Sequence, residues 1–374
     1  WKTLQTWSFE DGYPELVSIS ADDKKLYLVE SANVDKSRLT EITLTTGAKN
    51  VVVSDDEYDI SEPSVLFDPS THSLQAVGFL RERMTWRVLD VTLADDFARM
   101  QALDYGDMLV SSRSFDNNFW VIAFTKDNGP IAYWLYDRKE KKGTFLFHHQ
   151  AKLNGYRLAQ MKPISFTARD GLKINGYVTC PANGECKNLP LILLVHGGPW
   201  ARDDWGFDAE TQFLASRGYA VLQINYRGST GYGKSFLNAG NKEWGGRMQD
   251  DLTDAVHWAV EQGIADSKRV AIFGGSYGGY AALAGATFTP EVYRCAVDIV
   301  GPSSIITLIN SIPAYWTMFL STFKKRVGDP EAEEEFLKLR SPLFHVDKIK
   351  IPLLIAQGAN DPRVKQAESE QIVA

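Results

Sequence analysis

Strand-length apolar segments alternate with helical segments from about residue 163 onwards, and this alternation constrains the fold more than any other feature of the sequence. The clearest strand segments are LPLILLV, AVLQINY, RVAIF and IPLLIA. Each is apolar along its whole length, as expected for a strand that is covered on both faces. The pattern therefore predicts a mostly parallel sheet with helices on both faces, an α/β domain that occupies residues 156–374.

Residues 1–155 show a different pattern, in which short alternating segments are separated by Asp, Asn, Gly and Ser. The segments LTEIT, WRVLD and YWLYD begin at Leu39, Trp86 and Tyr133, a constant step of 47 residues. A four-stranded β unit repeating at this interval predicts about three propeller blades. The alternative is an all-β sandwich with coincidental spacing. Since a closed propeller needs at least about four blades, we expect further blades before Trp1.

The composition is that of a globular protein with an ordinary core, with 44% hydrophobic and 23% charged residues. The net charge of −7 argues against nucleic acid as a partner. No apolar run has the length of a membrane span, so no membrane partner is expected. The oligomeric state leaves no trace in the sequence.

Both ends of the sequence look interrupted. The chain starts at Trp1 with neither an initiator Met nor a signal peptide, and it stops in AESEQIVA, a helical pattern without a C-terminal cap. We therefore expect a fragment that is truncated at both ends.

The three cysteines, Cys180, Cys186 and Cys295, are too few and too scattered for a disulfide framework or a zinc site. They are expected to be small buried hydrophobic residues, with pairing of Cys180 and Cys186 across a short loop as the alternative. The small number of cysteines favours a reducing, cytoplasmic compartment. No metal or other cofactor is indicated.

The segment GGSYGG contains a G-x-S-x-G pattern centred on Ser276, directly after the predicted strand RVAIF and before a helix of small residues. In this context the serine is expected to occupy a strained turn that lifts its Oγ above the edge of the sheet. A side chain at either flanking glycine would collide with a neighbouring element. Ser276 is thus the candidate nucleophile of an α/β hydrolase; the alternative is a glycine-rich turn with a helix-capping serine.

The segment VHGGPW lies in the loop that supplies an oxyanion donor in this fold. We expect the backbone N–H groups of Gly197 and Tyr277 to form the oxyanion hole, since Tyr277 follows the nucleophile. His196 lies in the same loop, and a structural role is favoured for it over that of a general base.

Asp361, in IPLLIAQGANDPRV, is the candidate acid, because in this fold the acid follows the nucleophile in the sequence. An ordinary turn before proline is the alternative for Asp361, and Asp298 is the second candidate. The base should come last, yet no histidine follows His345, which precedes the acid, and His257 lies in the middle of a helix. Without a histidine the turnover of a serine hydrolase falls by about 10⁶-fold, so this segment should be nearly inert.

Five motifs taken in order, VHGGPW, NYRGSTGYGKSF, GGSYGGY, RSPLFHVDKI and GANDPRV, resemble the prolyl oligopeptidase family of serine peptidases. The likeness is greatest to its acylaminoacyl-peptidase and dipeptidyl-peptidase-like branch. It covers residues 163–374 densely, whereas residues 1–155 match in architecture more than in motif.

The resemblance implies a propeller that caps an α/β-hydrolase domain and admits short peptides. It also implies that Ser276 is the nucleophile, that Asp361 orients the base, and that Gly197 and Tyr277 stabilise the oxyanion. The family's histidine lies about thirty residues after the acid, beyond residue 374. The intact parent is therefore expected to be active and this segment inactive.

The stretch GSTGYGKS, residues 228–235, matches the phosphate-binding pattern G-x-x-x-x-G-K-[ST]. A phosphate loop opens into a long helix, but Gly240, Gly245 and Gly246 interrupt the residues that follow. Nucleotide binding is therefore not expected.

Three functions are compatible with the sequence: a serine peptidase acting on short peptides, a carboxylesterase of the same fold, and a non-catalytic propeller–hydrolase binding module. A peptide-filtering propeller favours the first. Tyr315 and Trp316 are equally compatible with a specificity pocket and with the core.

Overall fold

The computed structural model describes residues 3–12 and 14–374, and the chain divides into two compact units. The first contains the described residues up to Leu158 together with Asp204–Asp208 and Gly231–Ser235, and the second contains Ala159–Asp203, Ala209–Thr230 and Phe236–Ala374. The two short segments that belong to the first unit interrupt the second in sequence. The sequence pattern does not indicate this feature.

The described part of the first unit contains three antiparallel sheets, each built from consecutive strands. The first sheet consists of β1 (Glu15–Ile19), β2 (Lys25–Glu30), β3 (Arg38–Thr43) and β4 (Lys49–Val53); the second of β5 (Val65–Phe67), β6 (Leu74–Leu80) and β7 (Met84–Val88); and the third of β8 (Asp107–Arg113), β9 (Phe119–Thr125), β10 (Ala132–Asp137) and β11 (Lys142–His148).

The equally spaced residues Leu39, Trp86 and Tyr133 lie on β3, β7 and β10, the third strand of each sheet. The constant step therefore marks a repeating β unit, and the prediction of partial propeller blades is confirmed. Fully buried aromatic residues fill the core of the last sheet, among them Trp120, Phe124 and Tyr136.

The second sheet has three strands rather than the four that the repeat predicts. A helix, α1 (Ala94–Gln101), follows β7 in the place where a fourth strand was expected. The preceding 3-10 turn is capped by Asp90, whose side chain accepts a hydrogen bond from the Thr92 N–H at 3.0 Å. The helix buries Phe97 and Met100, which are three residues apart and lie on one face of it. This helical spacing of buried residues explains why a helix forms here instead of a fourth strand.

The second unit is built on one sheet with seven strands in the order β12-β13-β15-β14-β16-β17-β18. Its strands are β12 (Met161–Thr167), β13 (Lys173–Thr179), β14 (Leu189–Val195), β15 (Ala220–Asn225), β16 (Ala265–Gly275), β17 (Cys295–Ile299) and β18 (Leu353–Ala356). The pairs from β15 to β18 are parallel, whereas β12 and β13 form an antiparallel hairpin at one edge. The mostly parallel sheet that the sequence predicts is thus confirmed.

Helices connect these strands. They are α2 (Ala209–Ala215), α3 (Lys234–Asn238), α4 (Arg247–Glu261), α5 (Tyr277–Phe288), α6 (Ile305–Asn310), α7 (Leu320–Arg326), α8 (Glu334–Leu339) and α9 (Gln366–Val373), and the 3-10 helices of the chain are Glu62–Ser64, Val91–Leu93, Ala151–Gly155, Ala314–Phe319 and Pro342–Lys348. All of α5 except its last residue is buried, because it packs against β14, β16 and β17. In the described chain no helix combines the length and the apolarity that crossing a membrane requires.

Cys180 and Cys186 form a disulfide whose Cα atoms are 5.5 Å apart, and only Cys295 is free. The expectation that all three cysteines are unpaired was therefore wrong. The bond closes the short polar loop between β13 and β14. It also removes the observation on which the lean towards a reducing compartment rested.

Candidate active site

Ser276 occupies the turn between β16 and α5, and its residue is exposed. Its backbone angles are φ 58° and ψ −118°, a conformation that a residue with a side chain rarely adopts. The turn is held from both sides, since the Ser276 N–H donates to the Ile299 carbonyl at 2.9 Å and the Ser276 carbonyl accepts from the Tyr280 N–H at 3.0 Å. The strained turn and the exposed serine agree with the expectation for a nucleophile.

The two glycines of the G-x-S-x-G pattern lie where no side chain fits. A Cβ on Gly274 would be 2.5 Å from the carbonyl carbon of Gly278, and a Cβ on Gly278 would be 2.0 Å from the Val195 carbonyl oxygen. At Gly275 the nearest atom would be 3.8 Å away, an ordinary contact. The steric prediction for both flanking positions is confirmed, because backbone atoms occupy the space.

The loop after β14 brings Gly197 next to the nucleophile. A Cβ on Gly197 would be 3.4 Å from Ser276 Cβ and 4.0 Å from Ser276 Oγ. Tyr277 is the first residue of α5, so its N–H has no acceptor within the helix and points towards the end where anions bind favourably. The structure thus places Ser276, Gly197 and Tyr277 together, and their catalytic roles stay predictions.

Asp361 follows β18 and lies at the carboxyl end of the parallel strands, the same end of the sheet as the nucleophile. Ile299 on β17 pairs with Gly275 on one side and with Ala356 on the other. The loops after β16 and β18 are therefore two strands apart, about 10 Å across the sheet. One oxygen of Asp361, Oδ1, accepts the N–H groups of Arg363 at 2.8 Å and Val364 at 3.0 Å. These bonds hold the carboxylate at the carboxyl end of the parallel strands, and its role as the triad acid stays a prediction.

The structure places His345 far from the nucleophile. The ring of His345 lies 5.3 Å from that of Phe288, the last residue of α5, whereas the nucleophile precedes the first. The length of this helix, about 18 Å, separates the two ends. His257 is exposed on α4. The absence of the base from residues 1–374 stays a prediction.

His196 is half-buried, with its ring stacked on that of Tyr226 at a centroid distance of 4.3 Å. Its Nδ1 lies 2.8 Å from the Gly197 carbonyl oxygen, and its Nε2 lies 3.0 Å from Ser229 Oγ. Burial of the ring, with a smaller contribution from the charge of Arg202, lowers the pKa of His196 to about 4. The imidazole is therefore neutral and held between its own loop and the loop after β15, and its structural role stays a prediction.

Asp298, the second candidate for the acid, is fully buried at the end of β17. Its Oδ1 accepts the Gly301 N–H at 2.7 Å, and its Oδ2 has no hydrogen-bond partner among the described residues. A Cβ on Gly279 would be 2.3 Å from Oδ1, so the carboxyl group is wedged against the first turn of α5. Burial of this carboxyl group raises its pKa to about 7. Because Asp298 is buried, its carboxyl group is not exposed where a triad acid would contact a histidine.

Replacing Asp298 with asparagine should stabilise the protein increasingly as the pH rises from 5 to 8. The folded state keeps the proton up to about pH 7, whereas the unfolded state loses it near the ordinary value of 3.8, so the wild type loses stability as the pH rises through this window. We expect the difference in the free energy of unfolding between variant and wild type to grow by about 2–3 kcal/mol between pH 5 and 8. Urea titrations at each pH measure it.

The matched control for this experiment is Asp347→Asn, which changes an exposed carboxylate of the same unit. Its difference from the wild type should vary little over the same range. A pH-independent difference for Asp298→Asn would contradict a raised pKa for the buried carboxyl group.

In GSTGYGKS, the backbone N–H groups and the lysine ammonium that a phosphate loop would direct at an anion donate instead to carboxylates from elsewhere in the first unit. Lys234 Nζ donates to Asp11 Oδ1 at 2.6 Å, the Gly233 N–H to Asp59 Oδ2 at 2.8 Å, and the Ser235 N–H to Asp35 Oδ1 at 2.7 Å. The helix that begins here, α3, has only five residues. Residues 231–235 therefore serve as a structural part of the first unit.

Tyr315 and Trp316 lie in the 3-10 helix Ala314–Phe319. The side chain of Tyr315 is 61% exposed, so it is not a core residue. The ring of Trp316 lies 5.4 Å from the guanidinium of Arg363, two residues after Asp361.

Among the described residues, no three His, Cys, Asp or Glu side chains converge as metal ligands would.

The parallel sheet, the serine on its strained turn and the glycine loop beside it define an α/β hydrolase, preceded in the chain by partial propeller blades. Residues 205–374 match the sequence profile of the prolyl oligopeptidase family. The chain belongs to this family, as the resemblance of its motifs implies.

Similar proteins cover the whole chain. It is 44% identical over 383 aligned positions to dipeptidyl aminopeptidase BIII of Pseudoxanthomonas mexicana, a match that spans 100% of this chain and 55% of that protein. It is 41% identical to dipeptidyl peptidase family member 6 of Caenorhabditis elegans, over 83% of this chain and 45% of that protein. The chain thus spans about half the length of these relatives.

Among solved structures, a puromycin-hydrolysing peptidase of Mycobacterium tuberculosis superposes with a TM-score of 0.77 at 24% identity. The superposition covers 96% of this chain and 55% of that one. At this identity the likeness shows the shared fold.

Proposed function

We propose that the protein to which this chain belongs is a serine peptidase that hydrolyses short peptides through an acyl-enzyme. The observation that carries the proposal is the exposed Ser276 on its strained turn, flanked by the Gly197 backbone and by the first N–H of α5. Family membership and relatives named as dipeptidyl peptidases support peptides as the substrate class. No cofactor, nucleotide or nucleic acid enters this mechanism.

In the proposed reaction, Ser276 Oγ attacks the carbonyl carbon of the peptide bond while its proton passes to a histidine. The carbonyl oxygen becomes an oxyanion, which the N–H groups of Gly197 and Tyr277 stabilise. The histidine then protonates the leaving amine, and water attacks the resulting ester to release the acyl product. Asp361 holds the histidine in the correct orientation throughout.

The histidine of this mechanism is not among residues 1–374, in which His345 is the last. We propose that it lies in sequence beyond residue 374 and that residues 1–374 alone are inactive. The test compares residues 1–374 with the complete gene product, using a fluorophosphonate probe that reacts with activated serines. Labelling of Ser276 should be fast in the complete protein and at least about 10³-fold slower in residues 1–374.

Substrate class is tested on the complete protein by comparing a dipeptidyl anilide with a short-chain acyl ester. Hydrolysis of the anilide supports the peptidase, whereas ester hydrolysis without anilide hydrolysis would identify a carboxylesterase of the same fold. A complete sequence without a histidine after residue 374, combined with no labelling, would leave a non-catalytic binding module as the better description.

A further inference from the structure

Glu368 is a buried acidic residue that the proposed mechanism does not use. It lies on α9, seven residues after Asp361, and only 2% of it is exposed. Its Oε2 accepts the backbone N–H groups of Ser303 at 2.9 Å and Ser304 at 3.0 Å, together with the side-chain amide of Gln371 at 2.9 Å. Two consecutive backbone donors on one carboxylate oxygen hold α9 firmly against the chain that follows β17.

The main chain of Glu368 takes part in the same contact. Its carbonyl accepts the Ser303 hydroxyl at 2.6 Å. The other carboxyl oxygen, Oε1, lies within hydrogen-bond distance of the Thr307 hydroxyl, which can also reach the Ser304 carbonyl at 3.1 Å. The side chain and the main chain of one residue therefore both bind residues 303–307, the segment in which α6 begins.

The chain segment that Glu368 binds also supports the nucleophile. The Ile299 carbonyl accepts the Ser276 N–H at 2.9 Å, and Ser303 comes four residues after Ile299. Between them, the Gly301 N–H donates to the buried Asp298 at 2.7 Å, which fixes the middle of this segment. Four residues span at most about 14 Å, so the position of the nucleophile turn and that of α9 are linked through a short, held segment.

The acid loop, residues 358–365, connects β18 to α9 and carries Asp361. The sheet holds its first end, where the Val300 N–H donates to the Ala356 carbonyl at 2.8 Å. Its second end runs into α9, which Glu368 binds to residues 303–307. Both ends of the acid loop are thus fixed to the segment that follows β17.

Hydrogen bonds inside the acid loop make it move as one piece. Asp361 Oδ1 accepts two backbone N–H groups of the loop, and the side-chain amide of Gln357 donates to the Val364 carbonyl at 3.0 Å. The hydroxyl of Ser369, the neighbour of Glu368 on α9, donates to Gln357 Oε1 at 2.8 Å. A shift of α9 would therefore displace Asp361 rather than be absorbed between them.

We propose that Glu368 is a positioning residue for Asp361, which anchors the second end of the acid loop to the segment that also supports Ser276. This inference rests on the proposed function, in which Asp361 orients the histidine. Glu368 acts through α9 and the acid loop, and it sets the separation between the acid and the nucleophile. A displacement of about 1 Å in a catalytic group can lower a rate by about 10²-fold, so such an anchor affects turnover.

The test removes this anchor from the complete enzyme with and without the acid. Glu368→Ala should lower kcat by about 10–100-fold with KM changed by less than about threefold, because only the orientation of the histidine is disturbed. Glu368→Gln keeps an acceptor oxygen for the two backbone N–H groups and should retain at least about a third of kcat. In an Asp361→Ala background, Glu368→Ala should lower kcat by less than about twofold, since the residue that it positions is already absent.

The matched control is Glu370→Ala, on the exposed side of α9, which should leave kcat unchanged. Urea unfolding of each variant gives the folded fraction to which kcat is normalised. Equal losses from Glu368→Ala with and without Asp361, or a loss confined to KM, would overturn the role of Glu368.

A second variant keeps the test valid if Glu368→Ala does not fold. Gln357→Ala removes the side chain that links Ser369 to the Val364 carbonyl and leaves the buried carboxyl group in place. It should lower kcat by about 3–10-fold when Asp361 is present and by less than about twofold when it is absent. The same loss in both backgrounds would contradict the proposal.

The rate of fluorophosphonate labelling of Ser276 repeats the comparison without a peptide substrate. If the wild type is labelled but cleaves no peptide, the peptidase proposal fails, and the labelling rates of the same variants still decide the role of Glu368. If Asp361→Ala is labelled as fast as the wild type, Asp361 is not the acid and the role of Glu368 fails with it. If the wild type is neither labelled nor active, both proposals fail.

Discussion

Replacement of Ser276 with alanine should lower the turnover of the complete enzyme by about 10⁶-fold, the largest effect that we expect from any single substitution. In the proposed mechanism this hydroxyl forms the acyl-enzyme, and removal of a nucleophile in a triad costs about this much. The free energy of unfolding should change by less than about 0.5 kcal/mol, because the residue is exposed. Steady-state hydrolysis of a dipeptidyl anilide and urea unfolding measure the two quantities.

Asp361→Ala should have a smaller effect on the same turnover, about 10⁴-fold, since in the proposed mechanism Asp361 only orients and stabilises the histidine. A larger loss of turnover in Ser276→Ala than in Asp361→Ala would distinguish a nucleophile and its supporting acid from two residues of equal importance. Residual activity of Ser276→Ala above one per cent of the wild type would contradict the assignment of the nucleophile.

Replacement of Gly278 with alanine should destabilise residues 1–374 by about 4 kcal/mol or more. The added Cβ would lie 2.0 Å from the carbonyl oxygen and 2.9 Å from the carbonyl carbon of Val195, so β14 and α5 would have to separate. Backbone atoms within a buried sheet cannot move aside as a flexible side chain can, and a penalty of this size is a large part of the stability of a typical domain. Urea unfolding followed by circular dichroism gives the value.

Gly275→Ala is the matched control, because it adds the same methyl group three residues earlier on the other side of Ser276. Its Cβ would be 3.8 Å from the Ile299 carbonyl oxygen, and we expect a cost below about 1 kcal/mol. If the two variants were equally stable, the close approach of β14 to α5 would not be the reason for glycine at this position.

The features that the sequence predicts well are those set by local pattern. The strands of the second unit were recognisable because buried parallel strands are apolar throughout, and the turn at Ser276 because its glycines are adjacent to it in sequence. The blade repeat was visible as equal spacing, although α1 replaced one strand after Asp90 capped a helical turn. A local cap there outweighed the repeat.

The features that sequence reasoning missed depend on residues that are distant in the chain. His196 meets Ser229 because β14 and β15 pair in parallel, which brings the loops after both strands to one edge of the sheet. The raised pKa of Asp298 depends on its burial against the first turn of α5, which no spacing reveals. For Cys180 and Cys186, spacing permitted a bond but could not determine the path of the loop between them.

The return of two short segments to the first unit affects the order in which the protein can be completed during synthesis. Translation proceeds from the amino terminus, and independent domains finish folding one after another as they leave the ribosome. Here the first unit lacks its last segment until Ser235 has been made, by which time β14 and β15 are already in the nascent chain. The contacts of these two segments with the rest of the first unit can therefore form only once the chain has been made as far as Ser235.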